Sequence, residues 1–325
     1  MTRSITMIEA LNEALNEEME RDEHVLMIGE DIADSGGLFQ VSEGLLDKFG
    51  QARVIDSPIS EAAIAGFGVG AAIVGSRPVI EFQIFDFVTL AMDQIVNHAA
   101  KWRYMSGGQV KIPLVLRGPT LTGVGTAAQH SQAQPAWFVN TPGLIVVAPS
   151  TPADAKGLLK AAIREDNPVI FVEKRTLYEV KGDVPDGEHI VELGKARICR
   201  EGTDVTLVGV LGGVQIAERA AARLERDGIS AEVIDPRTLK PLDVDTIAAS
   251  LERTNRLVVV SEDPRANGVA SEIVSQMIDA AFWSLDAPPV RVTGADTPIP
   301  YAASLERAVL PSVDETVLKV KELFA

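Results

Sequence analysis

The sequence predicts an α/β protein of two domains, each built on a mainly parallel sheet. Three observations carry this. Short apolar runs alternate with helix-period segments along nearly all of the 325 residues, which is the pattern of repeated strand–helix units. The runs are apolar without a polar partner at every second position, as strands covered on both faces require. The length also exceeds what one hydrophobic core ordinarily serves.

The first helix starts at Thr6, which forms a capping box with Glu9, and Ile8, Leu11, Leu15 and Met19 fall at helical spacing. Val25 to Ile28 reads as a buried strand, and Asp34-Ser35-Gly36-Gly37 as a turn or loop. Val54-Ile55 is a strand. Ser57 is placed to cap the next helix, with Pro58 in its first turn. Pro78 to Ile84 is a strand, and Phe87 to Tyr104 a long helix stopped by Ser106-Gly107-Gly108. Pro113 to Leu116 is a strand, followed by a long irregular stretch from Arg117 to His130; such a loop in a compact domain is more often functional than idle. Leu144 to Val147 and Pro168 to Val172 are strands flanking a helix that begins near Thr151-Pro152-Ala153-Asp154.

Lys174 to Glu188, with Gly182, Pro185 and Gly187 among charges, reads as the connection between domains, taken as residues 1–187 and 188–325. The second half repeats the alternation. Its strands are Val205 to Val210, Ala231 to Ile234, Leu257 to Val260 and Val290 to Val292. Its helices run near Val214 to Arg226, Val244 to Arg253 and Gly268 to Ala281.

Charge narrows the function classes. Lys plus Arg total 30 against 46 Asp plus Glu, a net charge of −16. Nucleic acid and anionic membrane would be repelled on average, whereas a basic protein would be attracted. Cys199 is the single cysteine, so no disulfide framework exists and a reducing compartment is expected. The N-terminus shows no signal-peptide pattern and no apolar run is long enough to span a membrane. A cytoplasmic location is expected.

Glu61 stands out among the titratable groups. It enters a stretch, Ala62 to Gly75, without one charge, so the helix should be buried and carry its carboxylate into that setting. A buried acid must be hydrogen-bonded or protonated, and burial raises its pKa. The plainer alternative is a first-turn carboxylate that favours the helix dipole and reaches solvent. Gly66 and Gly70 lie four apart on one face, where another backbone can come close. They are no dinucleotide fingerprint, since they sit inside the helix.

The four histidines show no zinc spacing. His24 and His189 read as surface residues and His98 as packed in a helix. His130 closes the long loop, where it could move protons near neutral pH or simply be solvated. Glu81, Gln83, Asp86 and Phe87 cluster at the carboxyl end of a parallel strand, where such folds bind ligands. Gln83 and Phe87 suit a flat heteroaromatic ring; equally, Phe87 could be core and Asp86 a cap.

Several segments resemble the β subunit of thiamine-diphosphate-dependent 2-oxo acid dehydrogenases. They are D-S-P-I-S-E-A-A-I-A-G at 56–66, E-F-Q-I-F-D-F at 81–87, D-Q-I-V-N-H-A-A-K at 93–101 and R-Y-M-S-G-G at 103–108. A-A-Q-H-S-Q at 127–132, P-G-L-I-V-V-A-P-S at 142–150 and D-A-K-G-L-L at 154–159 continue the likeness. V-I-D-P-R-T-L-K-P-L-D at 233–243 and V-R-V-T-G-A-D-T-P-I-P-Y-A at 290–302 complete it, in order, over nearly the whole chain.

The resemblance implies a transketolase-like pyrimidine-binding domain followed by a transketolase C-terminal domain. It implies that Glu61 hydrogen-bonds N1′ of the aminopyrimidine and favours its 4′-imino tautomer, that Gln83 and Phe87 line that ring, and that His130 faces substrate and the incoming lipoyl group. A desolvated carboxyl suits proton sharing with a ring nitrogen. Leu114, Ala162, Ile163, Glu165 and Asn167 match positions that bind potassium, largely through backbone carbonyls.

The G-D-G…N signature that holds magnesium and diphosphate in this superfamily is absent. In the family it lies on an α subunit, so the resemblance implies an α2β2 heterotetramer with thiamine diphosphate at the α–β junction and Mg2+ held by α. Gly66 and Gly70 would allow close packing in or near that junction. The remaining implied partners are a small 2-oxo acid and a lipoyl-bearing acyltransferase core, whose basic peripheral-subunit-binding domain suits the acidic surface. A-A-Q-H-S-Q is nearer the pyruvate and acetoin enzymes than the branched-chain type. The competing expectations are an acetoin dehydrogenase or branched-chain β subunit, or a non-catalytic assembly subunit.

Overall fold

The computed structural model describes residues 2–325. These fall into two compact units. One comprises the chain up to Leu121 together with Trp137–Leu193, the other Thr122–Ala136 together with Gly194–Ala325. The sequence set the junction after residue 187. The chain instead stays on the first unit through Val191, whose N–H donates to the Gly157 carbonyl at 3.2 Å, while the His189 ring meets the Ala153 carbonyl at 3.0 Å.

From the N-terminus the elements are β1 (Thr2–Thr6), α1 (Met7–Arg21), β2 (Val25–Gly29), α2 (Leu45–Phe49), β3 (Val54–Asp56), α3 (Glu61–Ile73) and β4 (Arg77–Glu81). There follow α4 (Trp102–Met105), β5 (Val115–Thr120), α5 (Pro135–Val139), β6 (Ile145–Val147), α6 (Pro152–Arg164), β7 (Val169–Lys174) and β8 (Lys181–Pro185). In the first unit the strands lie side by side as β6-β7-β5-β4-β2-β3, every pair parallel. The predicted parallel architecture is present.

α1 is fixed by its predicted cap. The Thr6 N–H donates to Glu9 Oε2 at 2.7 Å, and the Glu9 N–H donates to Thr6 Oγ1 at 3.2 Å. Its apolar face (Met7, Leu11, Leu15, Met19) enters the core beside Leu158, Leu159 and Ile163 of α6. Each such side chain removed from water contributes about 1.5–3 kcal/mol. The two helices are also joined by the ion pairs Lys156–Glu13, Lys160–Glu17 and Arg164–Glu18, in which Lys156, Lys160 and Glu18 are buried.

Three expectations need correction. The 87–104 helix is not continuous: a 3-10 segment covers Phe85–Ala91, a π-helical turn Gln94–Ala99, and only then comes α4. The Ala100 carbonyl lies 2.0 Å from where a Cβ of Gly143 would sit, so the distorted turn packs against a position only glycine can fill. The 174–188 segment is no free connection, since β8 pairs antiparallel with β1 from Thr2↔Pro185 to Thr6↔Lys181. Arg117 does not open a loop; it lies in β5, all of whose residues are buried.

The second unit holds β9 (Arg197–Arg200), β10 (Val205–Gly209), α7 (Gly212–Leu224), β11 (Ala231–Asp235), β12 (Thr238–Lys240) and α8 (Val244–Thr254). It ends with β13 (Leu257–Pro264), α9 (Val269–Ala281), β14 (Val290–Gly294), α10 (Ala303–Val309) and α11 (Val313–Glu322). Its sheet runs β14-β13-β10-β11-β9, parallel except for β9. Val205, Leu207, Val233, Val258 and Val260 pack against Ala217, Ala221 and Leu224 of α7.

Candidate functional site

The carboxyl ends of β2, β3 and β4 lie next to one another, with Gly29 opposite both Asp56 and Glu81. Past Asp56 the β2–β3 ladder gains one more rung, the Ser57 N–H donating to the Gly29 carbonyl at 2.9 Å. The Ser57 hydroxyl also turns to that carbonyl, at 3.3 Å, so it does not cap. The helix begins later than the sequence suggests, at Glu61, after Ser60. Glu61 is only 6% exposed.

A second acid stands beside it. Glu30, which follows β2, is also buried. Burial first, then the charges of Glu61 and Asp31, push its carboxyl above the ordinary range, while a hydrogen bond from the Ser60 N–H opposes them. Glu30 Oε1 is buried without a hydrogen-bond partner. An orphaned acceptor of this kind is costly and marks a place where another polar group fits. Gln83 belongs to the same cluster: its Nε2 donates to the Glu30 carbonyl and to Asp31 Oδ2, each at 3.2 Å. Phe87 is half-buried in the 3-10 segment beyond β4. The first unit thus gathers Glu61, Gln83 and Phe87 at one end of its sheet and adds Glu30, which sequence reasoning did not single out.

Behind this cluster is a fully buried charge network. Arg117 Nε and Nη2 donate to Glu173 Oε1 and Oε2 at 2.6 Å, and Nη1 pairs with Glu81. Tyr178 donates its phenol proton to Glu173. Burial raises the Glu81 carboxyl against the opposing pull of Arg117. Gly37, at φ +80°, leaves room for this group: a Cβ there would lie 2.9 Å from Glu81 Oε1.

α3 is not buried all round. Phe67 (45% exposed) and Ile73 (39%) are open, Ala63 and Gly70 share the exposed side, and Ile59 and Val74 just beyond the helix ends are exposed too. The close intrachain approach is at Gly68, whose absent Cβ would sit 2.8 Å from Ile80 Cδ1; around Gly70 nothing lies within 4 Å. An apolar helix face without cover is what a partner surface looks like.

His130 belongs to the second unit, on the segment Thr122–Ala136, and is half-buried. Thr126 Oγ1 donates to its carbonyl at 3.1 Å. Leu114, Ala162, Ile163, Glu165 and Asn167 gather where α6 ends beside β5 and β7. The Leu114 carbonyl accepts from the Val169 N–H at 2.8 Å. Arg77 Nη1 donates to the carbonyls of Ile163 and Glu165 at 2.9 and 3.1 Å. Each carbonyl retains a second lone pair, and the end of a helix is favourable ground for a cation. Among the described residues no group of three or more His, Cys, Asp or Glu could hold a metal, and no helix is long and apolar enough to cross a membrane.

Comparison with known proteins adds to this geometry. The transketolase pyrimidine binding domain matches residues 3–181 and the transketolase C-terminal domain residues 194–315. A protein of Dictyostelium discoideum named pyruvate dehydrogenase E1 component subunit beta, mitochondrial, is 47% identical, over 99% of this chain and 92% of its own length. A Rickettsia felis protein named pyruvate dehydrogenase E1 component subunit beta is 49% identical over 98% of each chain. Among solved structures, a split-gene transketolase described as an inactive beta4 tetramer superposes with a TM-score of 0.80 at 22% identity, covering 99% of this chain and 98% of that one. That likeness establishes the fold.

Proposed function

This chain belongs to the family of pyruvate dehydrogenase E1 component β subunits, and from that premise we propose that it supplies the pyrimidine half of an active site completed by an α subunit. Together they decarboxylate pyruvate and pass the acetyl unit to lipoamide on an acyltransferase core. The observation that carries the reading is the burial of Glu61 at the start of an apolar helix, beside a second buried acid with an orphaned oxygen.

The residues present fit thiamine diphosphate. When bound, that group supplies the carbon nucleophile and electron sink that decarboxylation of a 2-oxo acid needs. Glu61, shielded from water, would hold a proton at N1′ of the aminopyrimidine. Gln83 would orient the ring by its amide and Phe87 pack on its face. His130 would move a proton during acyl transfer. The α subunit would hold Mg2+ and the diphosphate. The uncovered face of α3 would meet a neighbouring subunit in an α2β2 assembly, and the acidic surface would suit a basic docking domain on the core. The second lone pairs at Leu114, Ala162, Ile163, Glu165 and Asn167 would take a potassium ion. The complex would work in the cytoplasm, a reducing compartment that suits the single cysteine, Cys199.

The deciding experiment is Glu61→Gln in the complex reconstituted with its α partner. A catalytic subunit loses at least about 100-fold in kcat, a typical general acid–base contribution. Full activity would mean a scaffold and end the reading. Assays of the same complex on pyruvate, 3-methyl-2-oxobutanoate and acetoin set the substrate.

A further inference from the structure

In the segment that carries His130 the His130 N–H donates to the Ala127 carbonyl at 3.4 Å, and side chains supply further ties. Thr122 Oγ1 donates to the Ser131 carbonyl at 2.9 Å, and the Thr126 and Ser131 hydroxyls share a bond of 2.6 Å. These bonds join the loop to itself. A further contact ties it to α10. Oε1 of Glu306 accepts from the N–H groups of Gly123 at 2.9 Å and Gly125 at 3.3 Å.

Glu306 is 3% exposed, so its carboxylate depends on such donors. The two amides converge on one oxygen because Gly123 and Gly125 sit at φ +87° and +80°, which L side chains rarely adopt. Just beyond them Ala127 holds φ +64° without glycine's freedom, a conformation that persists only where surroundings over-determine it. Bonds from amides to a carboxylate are among the stronger ones available for that purpose.

We propose that Glu306 is a positioning residue for His130. It fixes the loop a few residues ahead of the imidazole, and its effect on the reaction runs through that side chain. The inference rests on the role given to His130 above. It adds a residue whose type and place, in the helix after P-I-P-Y-A-A, announce nothing in the sequence.

The test uses the assembled holoenzyme carrying Glu306→Ala, Glu306→Gln, His130→Ala or Glu306→Ala with His130→Ala. Displacing a catalytic group by about 1 Å costs on the order of 100-fold. Glu306→Ala should therefore lower kcat by roughly 10- to 100-fold, with the KM for the 2-oxo acid little changed. Glu306→Gln, which keeps a carbonyl oxygen, should recover most of that. In the His130→Ala background Glu306→Ala should cost less than about twofold, since residues acting as one unit are not additive. Hydrogen exchange at the Gly123 and Gly125 amides should quicken while β10 and β13 stay protected.

Two results would overturn the proposal. One is the same loss from Glu306→Ala with or without His130, and the other is faster exchange throughout the second unit; either assigns Glu306 to the fold alone. Should Glu306→Ala not assemble, Glu306→Asp, whose shorter side chain draws the oxygen back from the Gly123 and Gly125 amides, carries both measurements. If His130→Ala alone leaves kcat unchanged, the reading of His130 fails and this inference with it. An impaired His130→Ala combined with additivity removes only the inference.

Discussion

Arg117 and Glu173 meet in a two-pronged pair, Nε and Nη2 each 2.6 Å from a separate carboxylate oxygen, with neither side chain reaching solvent. β4, β5 and β7 are adjacent strands, and through Glu81 the same guanidinium binds all three. A buried pair adds little net stability, but removing one partner strands the others. Arg117→Ala leaves two buried carboxylates without their cation. It should lower the unfolding free energy by about 3–5 kcal/mol, read as a shift of the urea midpoint with unchanged slope. A variant within about 0.5 kcal/mol of wild type would show the network to be water-filled.

Gly68 and Gly70 should respond oppositely to added side chains. Gly68 faces Ile80 and Leu114 at 3.0 Å or less, so Gly68→Val overpacks the core and costs about 1–3 kcal/mol. Gly70 faces open space. Gly70→Ala should stabilise the separate chain by up to about 1 kcal/mol through helix propensity, yet weaken its assembly with the α subunit. Thermal melts of the chain and sedimentation of the mixture separate the two effects. Undiminished assembly of Gly70→Leu would place the partner surface elsewhere.

Glu30 predicts a pH dependence. Its carboxyl is raised in the folded chain by burial and by Glu61 and Asp31. The folded state therefore holds this proton to higher pH than the unfolded state does. The contribution is fully present below the unfolded value near 4.5 and is lost as pH rises through the folded one. Glu30→Gln keeps an acceptor for the Ser60 N–H and removes the charge. It should be more stable than wild type at pH 8, with the gap closing toward pH 4. A gap independent of pH in urea titrations would mean that the carboxyl does not titrate in this range.

What the sequence disclosed follows from where the information sits. The Thr6–Glu9 cap, the apolar strands of both sheets and the charge-free run after Glu61 are local patterns, and each was legible. β1 and β8 were not, because K-G-D-V-P becomes a strand only by pairing with Thr2–Thr6 at the other end of the unit. Arg117 reads as loop in the sequence because a charge suits a strand core only when its partner, 56 residues on, is known. The distorted turn within 87–104 packs against Gly143, more than forty residues on, which no local pattern shows. Glu61 announced itself as an acid in an apolar run, whereas Glu30 and Glu306 draw their meaning from groups distant in the chain.

The end of α6 supplies the last prediction. Arg77 already donates to the carbonyls of Ile163 and Glu165, and both Arg77 and Lys111 pair with Asp166 at 2.8 and 2.6 Å. Lys111 first, then Arg77, hold the Asp166 carboxyl below its usual range by hydrogen bonding and charge. The place is thus rich in protein cations, and an added ion must use the second lone pairs of the carbonyls. A potassium ion there would share the Ile163 and Glu165 carbonyls with the guanidinium. An ion that binds only the folded chain stabilises it by about 2.7 kcal/mol at a hundred times its dissociation constant. The holoenzyme should therefore melt at a higher temperature in potassium chloride than in choline chloride of equal ionic strength. Arg77→Met should widen that difference, because it releases two carbonyls to the ion. Identical melting in the two salts, for wild type and variant alike, would show that the carbonyls at Leu114, Ala162, Ile163, Glu165 and Asn167 hold no potassium.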